Sequence, residues 1–350
     1  MRSINGVNVC VTGGAGFLGS HLVDHLIEDR NCEVLVIDDL SAGNRAWVHP
    51  KAHFVHCDIT GTETYLYKLF KNYKIKYVFN YAAVPYIPYS FERPLRVFDI
   101  NAHGALKVIN AAQEAGCDGI LQVSSAEIYG DAGQTRMVQM QGDITDPDSC
   151  KPAGKVSYLP NKINELAKVQ PHSTYGVAKA AIDAMVQVRW KEAKTPCIAL
   201  RQFNGFGPRE THPYIIPEII QQVYQQDKAD TCVVRLGNDS YRDFQYCDDA
   251  VRMAVELLEY GTFGEVYNLG SQQGIKMYAL AALIGHLMGR KDVQVVQDPS
   301  RVRPWEIWHL QADCTKIHSA IKYRHLTSFE DGLLRTIEDF RSSGHKWHWQ

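Results

Sequence analysis

Three things are missing from this chain of 350 residues, and each absence narrows the reading. Its nine cysteines contain no Cys-x-x-Cys pair and are odd in number, which argues against a disulfide framework or a zinc ribbon and for reduced, buried thiols. No uncharged apolar run reaches membrane-spanning length. The first strand pattern opens almost at the N-terminus and leaves no room for a signal peptide, so the expectation is a cytoplasmic chain without a membrane partner. There is no basic block either. With 37 Lys and Arg against 39 Asp and Glu, the formal net charge is -2, which excludes a general nucleic-acid surface and confines phosphate binding to local sites. No metal is expected, since the histidines of the tail His345-Lys346-Trp347-His348-Trp349 come from one element only.

What is present is ordinary for a globular protein, at 45% hydrophobic and 22% charged. The length asks for two domains or one domain with a large appendage. The organising stretch is Val7 to Gly19, VNVCVTGGAGFLG. It reads as a buried strand running into Gly13, Gly16 and Gly19, with a helix starting at Phe17. A dinucleotide explains that arrangement: Gly13 permits the tight turn and Gly16 the approach of backbone to pyrophosphate, while Gly19 lets helix pack on strand. The first helical turn, with Phe17 and Leu18, faces the negative charge. A second apolar run ends in Asp38, placed to take ribose hydroxyls. Asp39 follows without an adjacent Arg, so a 2'-phosphate is repelled and NAD is favoured over NADP.

Further along, strand and helix patterns alternate at short spacing, which predicts a doubly wound parallel α/β sheet. Two readings fit Asp58, ahead of Ile59: an acceptor for the adenine amino group, or the N-cap of a helix from about Glu63 to Asn72. Ala82 and Ala83 close a strand with small residues that let a cofactor approach or simply pack. One helix is expected from about Pro94 to Ala115, then a strand leading to Ser124-Ser125-Ala126-Glu127. Strand ends of this kind carry ligands in open α/β sheets. Tyr175 and Lys179, four apart, share one face of a long helix that continues to about Ala193. A polar segment from Asp131 to Pro171 is long enough to be a lid, a helical excursion from Leu159 to Val169, or a subunit contact. His172 and His212 flank these motifs and are either substrate contacts or exposed loop residues.

Together TGGAGFLG, NYAA, the spaced Ser90, Pro94, Asn101 and Gly104, SSAEIYG, YGVAK, RQFNGFGPRE and YRDFQYCDDAV resemble the extended short-chain dehydrogenase/reductase family, in its nucleotide-sugar 4,6-dehydratase and epimerase group. The resemblance runs from about Val7 to Phe340. It implies a Rossmann domain of about seven strands over 1–200, interrupted by the insertion at 131–171, and a smaller mixed α/β substrate domain over 201–350, with chain crossing between them. It implies bound NAD, a nucleotide-diphosphate sugar as substrate, cofactor contact from Asn101, and a homodimer through the helices beginning near Pro94 and Tyr175, with Ala180, Met185 and Val188 on their outer faces. Asn204, Arg209, Arg242 and Arg303 are the implied substrate-binding residues, the arginines acting as forked donors to a diphosphate or as parts of ion pairs.

The chemistry follows from the residues. Oxidising a sugar hydroxyl needs a base, and a tyrosine near pKa 10 serves only if its phenolate is stabilised. Lys179, one turn along, together with the cationic nicotinamide is expected to lower that pKa, and Ser125 to orient the hydroxyl. Glu127 is the residue that separates reactions. After C4 becomes a ketone, a carboxylate can remove the acidified C5 proton and drive loss of water, whereas an epimerase has no use for that base. The expectation is therefore an NAD-dependent nucleotide-sugar 4,6-dehydratase, with a 4-epimerase, a UDP-glucuronate decarboxylase-like enzyme and a non-catalytic NAD-binding sensor as alternatives. Ala126 is a departure, since many dTDP-glucose dehydratases place there an Asp that protonates the leaving hydroxyl; Glu127 would then do both tasks. A structural pairing of Glu127 near the site also fits.

Overall fold

A computed structural model describes residues 2–141, 151–210, 213–226, 231–303, 305–324 and 326–345, with backbone alone at 134–141 and 151–160. His212 and the tail beyond His345 lie outside the described residues, as does Cys150; the other eight cysteines are all free thiols.

The chain begins with β1 (Asn8–Thr12), α1 (Phe17–Glu28), β2 (Glu33–Asp38), β3 (His53–His56), α2 (Glu63–Asn72) and β4 (Tyr77–Asn80). Next come α3 (Ile87–Glu92), α4 (Pro94–Phe98), α5 (Ala105–Ala115) and β5 (Gly119–Ser125). A hairpin of β6 (Gln134–Gln141) and β7 (Lys151–Pro160) precedes α6 (Thr174–Ala193) and β8 (Cys197–Gln202). The remainder is β9 (Asn204–Phe206), α7 (Ile215–Gln225), β10 (Cys232–Leu236), β11 (Tyr241–Tyr246), α8 (Cys247–Tyr260), β12 (Val266–Leu269), β13 (Gly274–Lys276), α9 (Met277–Leu287), β14 (Val293–Gln297), β15 (His309–Leu310), α10 (Thr315–Ala320) and α11 (Phe329–Ser342).

Seven strands form one all-parallel sheet in the order β12-β8-β5-β4-β1-β2-β3. Such a sheet must be covered on both faces, and its central strands are accordingly buried; every residue of β5 and β8 is buried, the polar ones included. Alternation then splits each strand between two cores. Leu121, Ile198 and Leu200 join Leu22 and Leu26 of α1 and the apolar face of α8, whereas Ile120, Cys197 and Ala199 join α2, α5 and α6 through Leu66, Val108 and Ile182. A third core gathers α7, α9 and α11 around β10 and β11, with Phe206, Phe244, Tyr246 and Phe329 in edge or tilted contact at its centre. This smaller layer lies over the carboxyl ends of the large sheet.

The structure departs from the sequence reading in three places. The single helix expected from Pro94 to Ala115 contains a wider π-type turn at Asp99–Gly104, where the Asn101 amide is tied to the Val84 backbone in both directions, at 2.8 and 3.0 Å. Asp58 is not the N-cap of α2; Thr62 holds that position, and Asp58 instead accepts from the Thr60 backbone and hydroxyl at 2.8 Å each. Of the three readings left open for the segment from Asp131 to Pro171, the helical excursion from Leu159 to Val169 is not formed: β7 runs to Pro160, and irregular chain follows up to α6, pinned by an isolated bridge from Ile163 to Ala312. Residues 142–150, between β6 and β7 in sequence, lie outside the described set. No helix among the described residues is long and apolar enough to cross a membrane.

Candidate active site

Between the sheet's carboxyl ends and the smaller layer is a cavity of about 960 Å³, at the upper end of the size usual for cofactor sites. At one end the turn after β1 forms its floor. Gly13 sits at φ +72°, and a Cβ there would lie 2.7 Å from the Ala82 nitrogen, so only glycine fits. A Cβ on Gly19 would run into the Gly13 carbonyl oxygen. Helix α1 starts at Gly16 with no side-chain cap and no acidic residue in its first turn, which leaves its N-terminal N–H groups facing the cavity that Gly16, Phe17, Leu18 and Gly19 line.

Asp38, Asp39, Asp58, Ile59, Ala82 and Ala83 line the same end. The Asp38 carboxylate accepts from the Ala15 and Leu40 nitrogens at 3.0 and 2.8 Å, while burial pushes its pKa up. The sequence order hid one cation here. Arg96 of α4 reaches over to Asp58 at 2.9 Å and to Asp39 at 3.9 Å, holding Asp58 below the usual carboxylate range together with Thr60. Asn101 is not among the cavity-lining residues; it acts on Val84, which is.

At the other end Ser125, Glu127, Tyr175 and Lys179 converge on the cavity wall. The Ser125 hydroxyl is bonded to the Tyr175 phenol, and it accepts from the Glu127 backbone N–H at 3.2 Å. Lys179 is 3% exposed and donates to the Val123 carbonyl at 3.0 Å, with its ammonium 5.9 Å from the centre of the Tyr175 ring. Among the chain's own groups, burial dominates the Tyr175 phenol. Burial pushes the phenol up to about 12, with Ser125 pulling it down and Glu127 pushing it up further. Burial likewise brings Lys179 down to about 8. The ammonium is turned to a carbonyl and is itself desolvated, so it does little for the phenolate in this state.

Glu127 is raised by burial and by Glu306, against the lowering influence of Arg242, Arg303 and His172. All four expected substrate-binding residues, Asn204, Arg209, Arg242 and Arg303, line the cavity, but two of the arginines are also engaged within the protein. Arg242 donates to Glu306 and to the Ile307 carbonyl, both at 2.6 Å, and is 8% exposed at its side chain. Arg209 pairs with Asp24 of α1 at 2.8 Å. His172 does not line the cavity; it faces Asp131 at 3.5 Å.

Gln202 and Glu306 on the cavity wall are not singled out by the sequence, whereas Glu210, Tyr214 and Asn238 fall in the segments 210–222 and 235–243 that it expects to shape the pocket. Glu306 is three residues after Arg303 in RVRPWE and could have been read as the arginines' counter-charge. Gln202 had no signal beyond its place between Arg201 and Phe203, because its neighbour in space, Ser125, is known only from strand register. Among the described residues one group of possible metal ligands exists, His21, Cys247 and Asp248. Both ring nitrogens of His21 are used, by Asp248 at 3.1 Å and the Pro208 carbonyl at 2.8 Å, and burial keeps the Cys247 thiol protonated.

The glycine turn, the uncapped helix start and the strand-end carboxylate fit a dinucleotide, and comparison with known proteins agrees. The profile of the NAD dependent epimerase/dehydratase family matches residues 9–270. The chain is 28% identical to the dTDP-D-glucose 4,6-dehydratase of Mus musculus over 350 residues, covering 97% of this chain and 90% of that one. It is also 28% identical to the UDP-glucose 4-epimerase of Streptococcus mutans over 304 residues, covering 81% and 82%. Among solved structures, UDP-glucose 4-epimerase of Thermotoga maritima with UDP-glucose superposes with a TM-score of 0.81 at 26% identity, over 96% of this chain and 99% of that one.

Proposed function

This chain belongs to the NAD dependent epimerase/dehydratase family, and from that premise we propose that it is a nucleotide-sugar 4,6-dehydratase. One observation carries the choice of reaction: Glu127, a carboxyl with a raised pKa in the cavity wall, two residues from Ser125 and close enough to Tyr175 to perturb it. A base beside the oxidised carbon has a task in elimination and none in epimerisation.

In this reading Tyr175 takes the proton of the C4 hydroxyl, with Ser125, close enough to the phenol to lower its pKa, orienting that hydroxyl by a hydrogen bond. Sugar and nicotinamide ribose displace Lys179 from Val123 and bring its charge to bear on the phenolate. Bound NAD would supply the acceptor for a hydride from C4 and the donor that returns it at C6. Glu127 removes the C5 proton and delivers it to the C6 hydroxyl, which leaves as water; a raised pKa suits a carboxyl that must both take and give a proton at neutral pH. C5 takes back one proton, matching the one Tyr175 released. Gly13, Gly16, Gly19, Asp38 and Lys179 hold the cofactor, Arg242 and Arg303 the diphosphate, with Glu306 fixing the plane of the Arg242 fork. We place the protein in the cytoplasm as a homodimer formed through the side of α4 and α6 where Leu95, Phe98, Val177 and Val188 are exposed; Ala180 and Met185 pack inward instead.

The second reading is a 4-epimerase, favoured by Ala126, which is 1% exposed and offers no acid for a leaving hydroxyl. Mass spectrometry of the products from UDP-, GDP-, CDP- and dTDP-hexoses separates the two. Loss of one water from a single sugar supports the dehydratase, and unchanged mass with an inverted C4 supports the epimerase.

A further inference from the structure

Gln202 is the last residue of β8, and its Cα is in register with that of Ser125 on β5. Register partners on adjacent parallel strands project to the same face, so its side chain leaves the sheet beside the catalytic serine. It lines the cavity and is 9% exposed, yet neither its Oε1 nor its Nε2 has a hydrogen-bond partner. Other buried amides of the sheet are paired: Asn80 to Thr12 and Gln122, Gln122 also to Val123, and Asn268 to Tyr129 and Ile163. A buried amide with both donor and acceptor unmade is strongly unfavourable unless a ligand completes it.

The chemistry of that ligand is constrained. A phosphate offers acceptors only, and a single sugar hydroxyl, though donor and acceptor, reaches both amide atoms only through bent hydrogen bonds. A primary carboxamide presents donor and acceptor side by side in one plane and meets both. The adenosine end of the site lies at Asp38 on β2, four strand spacings or about 19 Å away across the sheet. Gln202 is thus at the nicotinamide end, with Ser125, Tyr175 and Lys179.

We propose that the Gln202 amide pairs with the carboxamide of the nicotinamide ring and sets which way the ring is turned against the reacting carbon. The inference rests on the active site described above and on its NAD, not on which reaction follows. It makes Gln202 a positioning residue for the cofactor.

The test is a competition. Full-length protein is equilibrated with equal amounts of NAD and 3-acetylpyridine adenine dinucleotide, in which a methyl ketone replaces the carboxamide, and the retained dinucleotides are measured by chromatography. The native protein should retain NAD over the analogue by about tenfold, because the ketone leaves Oε1 without a donor. Gln202→Leu and the unbranched Gln202→Met should bring the ratio to within about twofold. The two substitutions remove an unpaired amide, so at least one fold with native circular dichroism is expected. A variant that keeps the native ratio overturns the proposal, and it does so decisively if the same variant loses affinity for the nucleotide sugar. Absence of any product from the sugar panel would sink the dehydratase reading and leave this ratio as it is.

Discussion

Asp183 on α6 and Arg201 on β8 form a two-pronged ion pair, Nε to Oδ1 at 3.0 Å and Nη2 to Oδ2 at 2.8 Å, with both side chains 4% exposed. The remaining Nη1 donates to the Tyr129 hydroxyl at 2.8 Å and the Glu165 carbonyl at 3.0 Å, and Tyr129 donates on to Asn268 at 2.6 Å. One guanidinium therefore ties β8, α6, β12 and the irregular chain before α6 together, directly behind the strand ends that carry Ser125 and Gln202. Asp183→Ala strands that guanidinium in the core and should destabilise the fold by about 3–5 kcal/mol. Urea denaturation checks it; a loss below about 1 kcal/mol would mean the network is slack.

Lys179 makes stability depend on pH in a distinctive direction. Below about pH 8 it is protonated in the folded and the unfolded chain alike, and the cost of burying the charge is fully present. Between about 8 and its ordinary 10.5 the unfolded chain keeps a proton that the folded chain has released, so raising the pH favours folding. The cofactor-free protein should gain roughly 3 kcal/mol over that window. Lys179→Met should be flat there, apart from effects it shares with the native chain, and more stable at pH 7. Equal slopes for the two proteins in denaturation at pH 7, 8, 9 and 10 would contradict this account.

Glu127→Gln keeps the size of the side chain and removes its proton chemistry. Dehydration should fall by about 10²–10⁴-fold while the retained NAD and the affinity for the nucleotide sugar stay near native. Exchange of the C5 hydrogen with deuterated water is the sharper readout, because it reports the base alone. An unchanged rate would move the reaction to epimerisation.

At Gly13 a side chain is opposed twice, by a φ of +72° and by the Ala82 nitrogen 2.7 Å from where a Cβ would stand. Gly13→Ala should lower stability by about 1–3 kcal/mol and abolish retention of NAD. Co-purified cofactor, measured in acid extracts, is the check; full NAD content in the variant would show that the turn tolerates a Cβ.

Much of this was legible in sequence because the signals were local. The strand-to-glycine turn at Gly13, the Ser125 strand end and the Tyr175 and Lys179 pair each lie within a few residues, and the parallel sheet follows from alternating short patterns. What escaped depends on residues far apart in the chain. Arg96 comes to Asp58 across α2, Gln202 to Ser125 through register, and Asn101 turns away from the cavity because the helix widens around it. Tyr175 and Lys179 are legible from their spacing, but not how deeply both are buried, which within the chain alone outweighs the charge one turn away.

The outermost strand on one side of the large sheet is β12, and the chain reaches it only after starting the smaller layer with β9, α7, β10 and β11. Until that return is made, β8 presents an open edge made entirely of buried residues, and the hydroxyl of Tyr129 lacks Asn268. The two layers therefore complete each other during folding, the long loop being closed at an entropic cost before the edge is satisfied. A nascent or truncated chain that stops short of residue 266 is left with a sticky strand edge, and its failure should be aggregation rather than an inactive folded half.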